Sequence, residues 1–175
     1  FRYETRLRLK INSFKIHFMK SFLMVLISLL IFVSCNKEED HDPKSNSATL
    51  TFGQYYGFCQ GEECIEIFKL TNSELSEDTT DQYPGQQFYN GTFIALSQEK
   101  FDLTKDLMDH FPQELFSEND SIIGMPDAGD WGGYYIEYND GIRHRSWLMD
   151  KMKSNVPTKY HSFMDQMDQK ILLLK

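Results

Sequence analysis

Three cysteines and five histidines are the side chains of this 175-residue sequence best suited to covalent, redox or proton-transfer chemistry. Cys59 and Cys64 stand in Phe58-Cys59-Gln60-Gly61-Glu62-Glu63-Cys64-Ile65. A metal site would need two more ligands at close spacing, and a thioredoxin-like redox pair would need two intervening residues where this pair has four. In an oxidising compartment the pair is most simply a disulfide, pinning the tip of a hairpin whose strands run over 49–58 and 64–70. Among the histidines, His41 falls in a charged stretch, His110 at a helix end, His144 in a strand and His161 near a helix start. A Ser or Cys nucleophile needs a base such as His in reach and a third group to orient it. None of these histidines sits in a nucleophile elbow or a comparable frame, so no residue is assigned a catalytic role.

The best candidate for a ligand is the loop Asp127-Ala128-Gly129-Asp130-Trp131-Gly132-Gly133, with Asp127, Asp130 and Trp131 as its ligand-facing residues. Its carboxylates and glycines are of the type that holds Ca²⁺, with Asp140 or Glu137 in support, but the spacing is not that of an EF-hand. It is not a phosphate loop either, because neither a Lys-Ser pair nor a helix follows. The plainer reading is a Gly-rich lead into the next strand, so no metal or cofactor is assigned. Tyr55, Tyr56, Trp131, Tyr134, Tyr135, Tyr138 and Trp147 gather around this loop and the strands. Exposed aromatics bind sugar rings and peptides through large, rigid area, whereas strand aromatics pack cores.

Positioning these residues requires a sheet and two helices. Thr49–Phe52 and Cys64–Leu70 alternate as strands, residues 71–87 are polar and end in Pro84-Gly85, and 88–96 read as a third strand. Ser97 caps a helix over 98–111, with Leu103, Leu107 and Phe111 on one stripe and Pro112 as its stop. Tyr134–Tyr138, the turn Asn139-Asp140-Gly141 and the return 142–149 form a second hairpin. Pro157 opens a last helix whose apolar stripe is Tyr160, Phe163, Met164, Met167, Ile171 and Leu174. The expected order is β-β-β-α-β-β-α: an α+β domain with an antiparallel sheet of about five strands, two hairpins plus one strand, and both amphipathic helices on one face.

The front of the chain has a different character. Met19-Lys20 precede thirteen uncharged residues, Ser21–Val33, and then Ser34-Cys35-Asn36-Lys37-Glu38-Glu39-Asp40. A basic start, a short apolar run and a small residue before a cut make a secretory signal, too short to span a bilayer of roughly 30 Å. Residues 1–18 read as upstream translation or an extended basic region, 19–34 as signal peptide, 35–48 as a flexible acidic tether and 49–175 as one domain. Residues 35–175 hold 12 of the 18 basic and 25 of the 26 acidic residues, a net charge of -13. That charge, with no basic block, argues against a nucleic-acid partner.

Phe32-Val33-Ser34-Cys35 resembles the bacterial lipobox, and Lys37-Glu38-Glu39 behind it resembles the lipoprotein export signal of Bacteroidetes. The resemblance is to small Bacteroidetes-type outer-membrane lipoproteins and covers only about residues 19–39; Phe32 departs from the Leu common at its position. It implies acylation of Cys35, attachment to the membrane through the acyl chains, and a place in the bacterial outer membrane facing either the surface or the periplasm. At about 0.8 kcal/mol per buried CH₂, several acyl chains make a permanent anchor. The functional expectation is a non-enzymatic binding module with a protein or glycan partner; the alternative is a small hydrolase or inhibitor-like protein whose site is assembled from distant residues.

Overall fold

The computed structural model describes residues 48–59 and 62–175. The signal-like segment, Cys35 and residues 35–47 of the tether lie outside them. Seven strands form one mixed sheet: β1 Thr49–Tyr55, β2 Ile65–Leu70, β3 Leu75–Asp78, β4 Phe93–Ala95, β5 Ile122–Ile123, β6 Gly133–Asn139 and β7 His144–Asp150. Among the described residues two α-helices accompany it, α1 Gln98–Thr104 and α2 His161–Leu174. The sheet order is β4-β3-β2-β1-β6-β7-β5. Every pairing is antiparallel except β5 with β7.

The α+β class and both hairpins match the pattern read from sequence, but the strand count and the purely antiparallel sheet do not. Two short strands were hidden. β3 lies inside the polar 71–87 stretch, where Leu75 is fully buried opposite Leu70, and a single apolar residue gives no periodicity to read. β5 has two residues and runs parallel to β7, with Ile122 opposite Leu148. The third strand is also shorter than expected: only Phe93–Ala95 pair, because the Tyr89 N–H is spent on the Tyr135 hydroxyl (2.8 Å) and Glu137 (2.9 Å).

Alternation along the strands builds two cores. Leu50 and Phe52, Phe68 and Leu70, Tyr134 and Ile136, and Trp147 and Met149 point to one face and pack against both helices. The α2 stripe is buried as its spacing predicts. In α1 the periodicity misleads. Ser97 caps it, accepting from the Lys100 amide at 3.3 Å, yet the α-helix ends at Thr104 and continues as a 3-10 helix over Lys105–His110. The Thr104 hydroxyl bonds the Lys100 carbonyl (2.9 Å), a back-bond that bends helices. Phe101, Thr104 and Leu107 are therefore buried, three residues apart, while Leu103 is 41% exposed.

Among the described residues, no helix covers the other face. Tyr55, Ile67 and Tyr135 form its small core, and the irregular chain of 79–92 lies over it as a strap that brings Tyr89 against them. Asp78 anchors the strap: its carboxylate accepts from the Tyr89 hydroxyl (2.7 Å), the Thr92 amide (2.6 Å), the Asp81 amide (3.0 Å) and the Thr80 hydroxyl (2.8 Å). At the far end Phe88 stacks on His144, ring centres 3.5 Å apart and 7° from parallel.

Candidate ligand-binding end of the sheet

The C-terminal end of β1 and the start of β6 lie side by side, Tyr55 opposite Gly133, so the chains that continue from them meet at one end of the sheet. Residues 56–64 link β1 to β2 and are clasped by the Cys59–Cys64 disulfide, Cα atoms 5.6 Å apart, and by the Tyr56 amide on the Cys64 carbonyl (3.0 Å). The expected disulfide is thus present. Residues 124–132 supply the second loop, with five left-handed residues: Gly124, Asp127, Gly129, Asp130 and Gly132. Such a backbone suits Gly and is tolerated by Asp.

Asp127 organises this loop instead of awaiting a ligand. Its Oδ1 accepts from the Gly132 amide (3.0 Å), its Oδ2 from the Tyr83 hydroxyl (2.8 Å), and its own N–H donates to the Gly132 carbonyl (2.8 Å). Burial and the bond to Asp127 push the Tyr83 hydroxyl up to about 12, so it stays a donor at any physiological pH. Two glycines allow the loops to touch. A Cβ at Gly57 would fall 2.2 Å from Asp127 Oδ2, and one at Gly132 would fall 2.4 Å from the Tyr56 ring. The base of the loop is held by Asp150, which accepts from the Met125 and Met152 amides (3.0 and 2.7 Å) and from Asn155 Nδ2 (2.7 Å).

What remains outward is three aromatic side chains and Met125. Phe58 is 87%, Trp131 67% and Tyr83 53% exposed. Tyr83 is braced edge-on against the buried Tyr55, ring centres 5.0 Å apart. Asp130 is exposed beside Trp131, and its carboxylate accepts no hydrogen bond from the described residues. Lys151 closes the flank, bonding Gln54 Oε1 (2.7 Å) and lying 5.2 Å from the centre of the Tyr56 ring. No family model, curated protein or solved structure gives a significant match to this chain. Its site therefore rests on this geometry.

Of the residues singled out in sequence, Asp127, Asp130 and Trp131 come together, but in different roles: Asp127 is scaffold, Asp130 and Trp131 are free. Tyr55, Tyr134, Tyr135 and Trp147 are buried core, Tyr134 and Tyr135 on opposite faces of the sheet. Phe58 and Tyr83 belong to the site and were missed. Phe58 lies next to a cysteine and Tyr83 before Pro84-Gly85, with no pattern that separates a displayed aromatic from a packed one. Among the described residues, no group of three or more His, Cys, Asp or Glu could hold a metal ion.

Among the described residues the histidines make no catalytic frame. His110 is exposed. His161 bonds the Lys153 and Val156 carbonyls through Nε2, 2.9 Å each, so that nitrogen carries the proton. His144 pairs with Glu137 (2.8 Å), which also accepts from the Tyr135 hydroxyl; this assembly holds the strap under Phe88. A concavity of about 450 Å³ lies between β2, β3 and the C-terminal end of α2, with Glu63, Glu66, Glu77 and Lys100 in its wall. Burial holds the Glu66 carboxyl above the ordinary carboxylate range, Glu77, Asp81 and Glu63 raise it further, and Lys175 at 3.9 Å opposes them.

Proposed function

We propose that the protein is a lipid-anchored cell-envelope lipoprotein whose domain is a non-enzymatic binding module, with its ligand held at the Phe58–Tyr83–Trp131 end of the sheet. The observation that supports this most is the display of three aromatic side chains on loops already fixed by a disulfide, by the Asp127 bonds and by Asp150. Rigid aromatics contribute contact area at little entropic cost, and a loop ordered in advance does not charge its ordering against affinity. Anchorage at Cys35 follows from the lipobox-like Phe32-Val33-Ser34-Cys35, and the acidic surface makes acyl chains, not a basic patch, the link to the membrane. Among the described residues no helix is long and apolar enough to cross a membrane. Fractionating cells that express the native chain or Cys35→Ser tests the anchor: the variant should leave the membrane pellet, and its retention there would refute the lipoprotein assignment.

A hydrolase is the second reading, favoured by the acidic cleft in which Glu66 is held protonated more readily than an ordinary carboxyl. Against it, Asp78 at the rim has both oxygens committed to the strap. Hydrolysis of any member of a glycoside, ester and peptide substrate panel that vanished in Glu66→Gln would establish it over the binding module.

A further inference from the structure

We infer that the aromatic end is a site for a neutral glycan, whose sugar rings stack on Trp131 and Phe58 while Asp130 and the Tyr83 hydroxyl hold ring hydroxyls. This rests on the binding-module reading and names its ligand class. Neither Phe58, at 87% exposure, nor Trp131, at 67%, serves the core, and each costs free energy where it stands unless something covers it. Their chain neighbours meet at this end. Gly57 brings the chain beside Phe58 onto Asp127 and Tyr83, and Gly132 brings the chain beside Trp131 onto Tyr56.

The chemistry between the rings selects among ligands. Asp130 lies exposed beside Trp131, and the Asp127 carboxylate lies behind Tyr83, so phosphate, sulfate and uronate groups are repelled. The net charge of residues 35–175, -13, adds to that repulsion at long range. A peptide added as a strand would need an open backbone edge, and the sheet's edges are β4 and β5, not this end. An amphipathic helix would need an apolar groove, which a free carboxylate beside Trp131 interrupts. A sugar ring fits both features: its C–H face covers an aromatic ring, and its equatorial hydroxyls donate to a carboxylate at the ring's margin.

The test is calorimetric titration of the full chain in mild detergent with neutral hexasaccharides of glucose, N-acetylglucosamine, mannose and xylose, beside a heparin hexasaccharide and an aromatic-rich peptide mixture. At least one neutral hexasaccharide should bind. Trp131→Ala should weaken it about tenfold or more and Asp130→Asn by a smaller factor, without change in melting temperature, since both side chains are exposed. Neutral sugar binding that survives Trp131→Ala, or binding of heparin alone, would overturn the inference. Peptide binding lost in Trp131→Ala, with no sugar bound, would overturn the glycan and leave the binding end standing. Failure of both classes would remove the glycan and count against the binding end as well.

Discussion

Asp150 shows how a single buried side chain fixes the candidate site. At 3% exposure it accepts from two backbone amides and one Asn side chain, tying the end of β7 to the start of the 124–132 loop. Asp150→Ala orphans three donors and should cost about 3 kcal/mol in urea unfolding; a loss below about 1 kcal/mol would show that water replaces the carboxylate. Other carboxylates act through pH. Burial pushes Asp78 up, but the bonds from Tyr89, Thr80 and Thr92 outweigh it and hold the carboxyl below 3.8. Asp140 is held at about 2 by the Arg143 amide and guanidinium and the Ile142 amide. Both are lowered, so their stabilisation is complete above the ordinary 3.8 and is lost as pH falls through their folded values. The unfolding midpoint should therefore drop steeply below about pH 4, and less steeply in Asp78→Asn. Glu66 has the opposite sign. Its raised carboxyl penalises folding once pH climbs above the ordinary 4.5, so Glu66→Gln should stabilise at pH 7 and have no such effect near pH 3.

At the scale of elements, the strap and the disulfide-clasped hairpin replace helices as covers and props. Reducing the Cys59–Cys64 bond frees a loop of about six residues, worth about 2 kcal/mol by loop entropy. The Cys59→Ser/Cys64→Ser double variant should lose about that much in thermal unfolding and should speed hydrogen exchange at 56–64 while leaving β6–β7 protected. Tyr89→Phe removes the hydroxyl on Asp78 and should likewise raise exchange across 79–92 first. Elements with long patterns were legible in sequence: the α2 stripe, the β6–β7 hairpin with its Asn139–Gly141 turn, and the β1–β2 hairpin with its disulfide. Those fixed by tertiary contact were not. β3 depends on one buried Leu75, β5 is two residues leaning on β7, and Tyr89 is drawn from strand pairing by Tyr135 and Glu137. Even α1 yields to its Thr104 back-bond, which sends Leu103 outward.

Across the described residues, one face of the sheet is spent on a helical core and the other on the strap, and the loop end displays three aromatic side chains on a fixed frame. Half of that site could be read in advance: the Asp127–Gly133 loop announces itself through its glycines and carboxylates. The other half could not, because Phe58 and Tyr83 lie 69 and 44 residues before Asp127, and only the β1–β6 register and the Tyr83–Asp127 bond bring them there. The most direct measurement is hydroxyl-radical footprinting of Phe58, Tyr83 and Trp131, comparing intact cells with the same full chain purified in detergent. If the aromatic end engages a ligand in its native setting, these three residues should be oxidised several-fold less on cells, while Ile142, at 93% exposure in the opposite turn, is oxidised alike in both. Equal oxidation of all four residues on cells and in detergent would contradict the account.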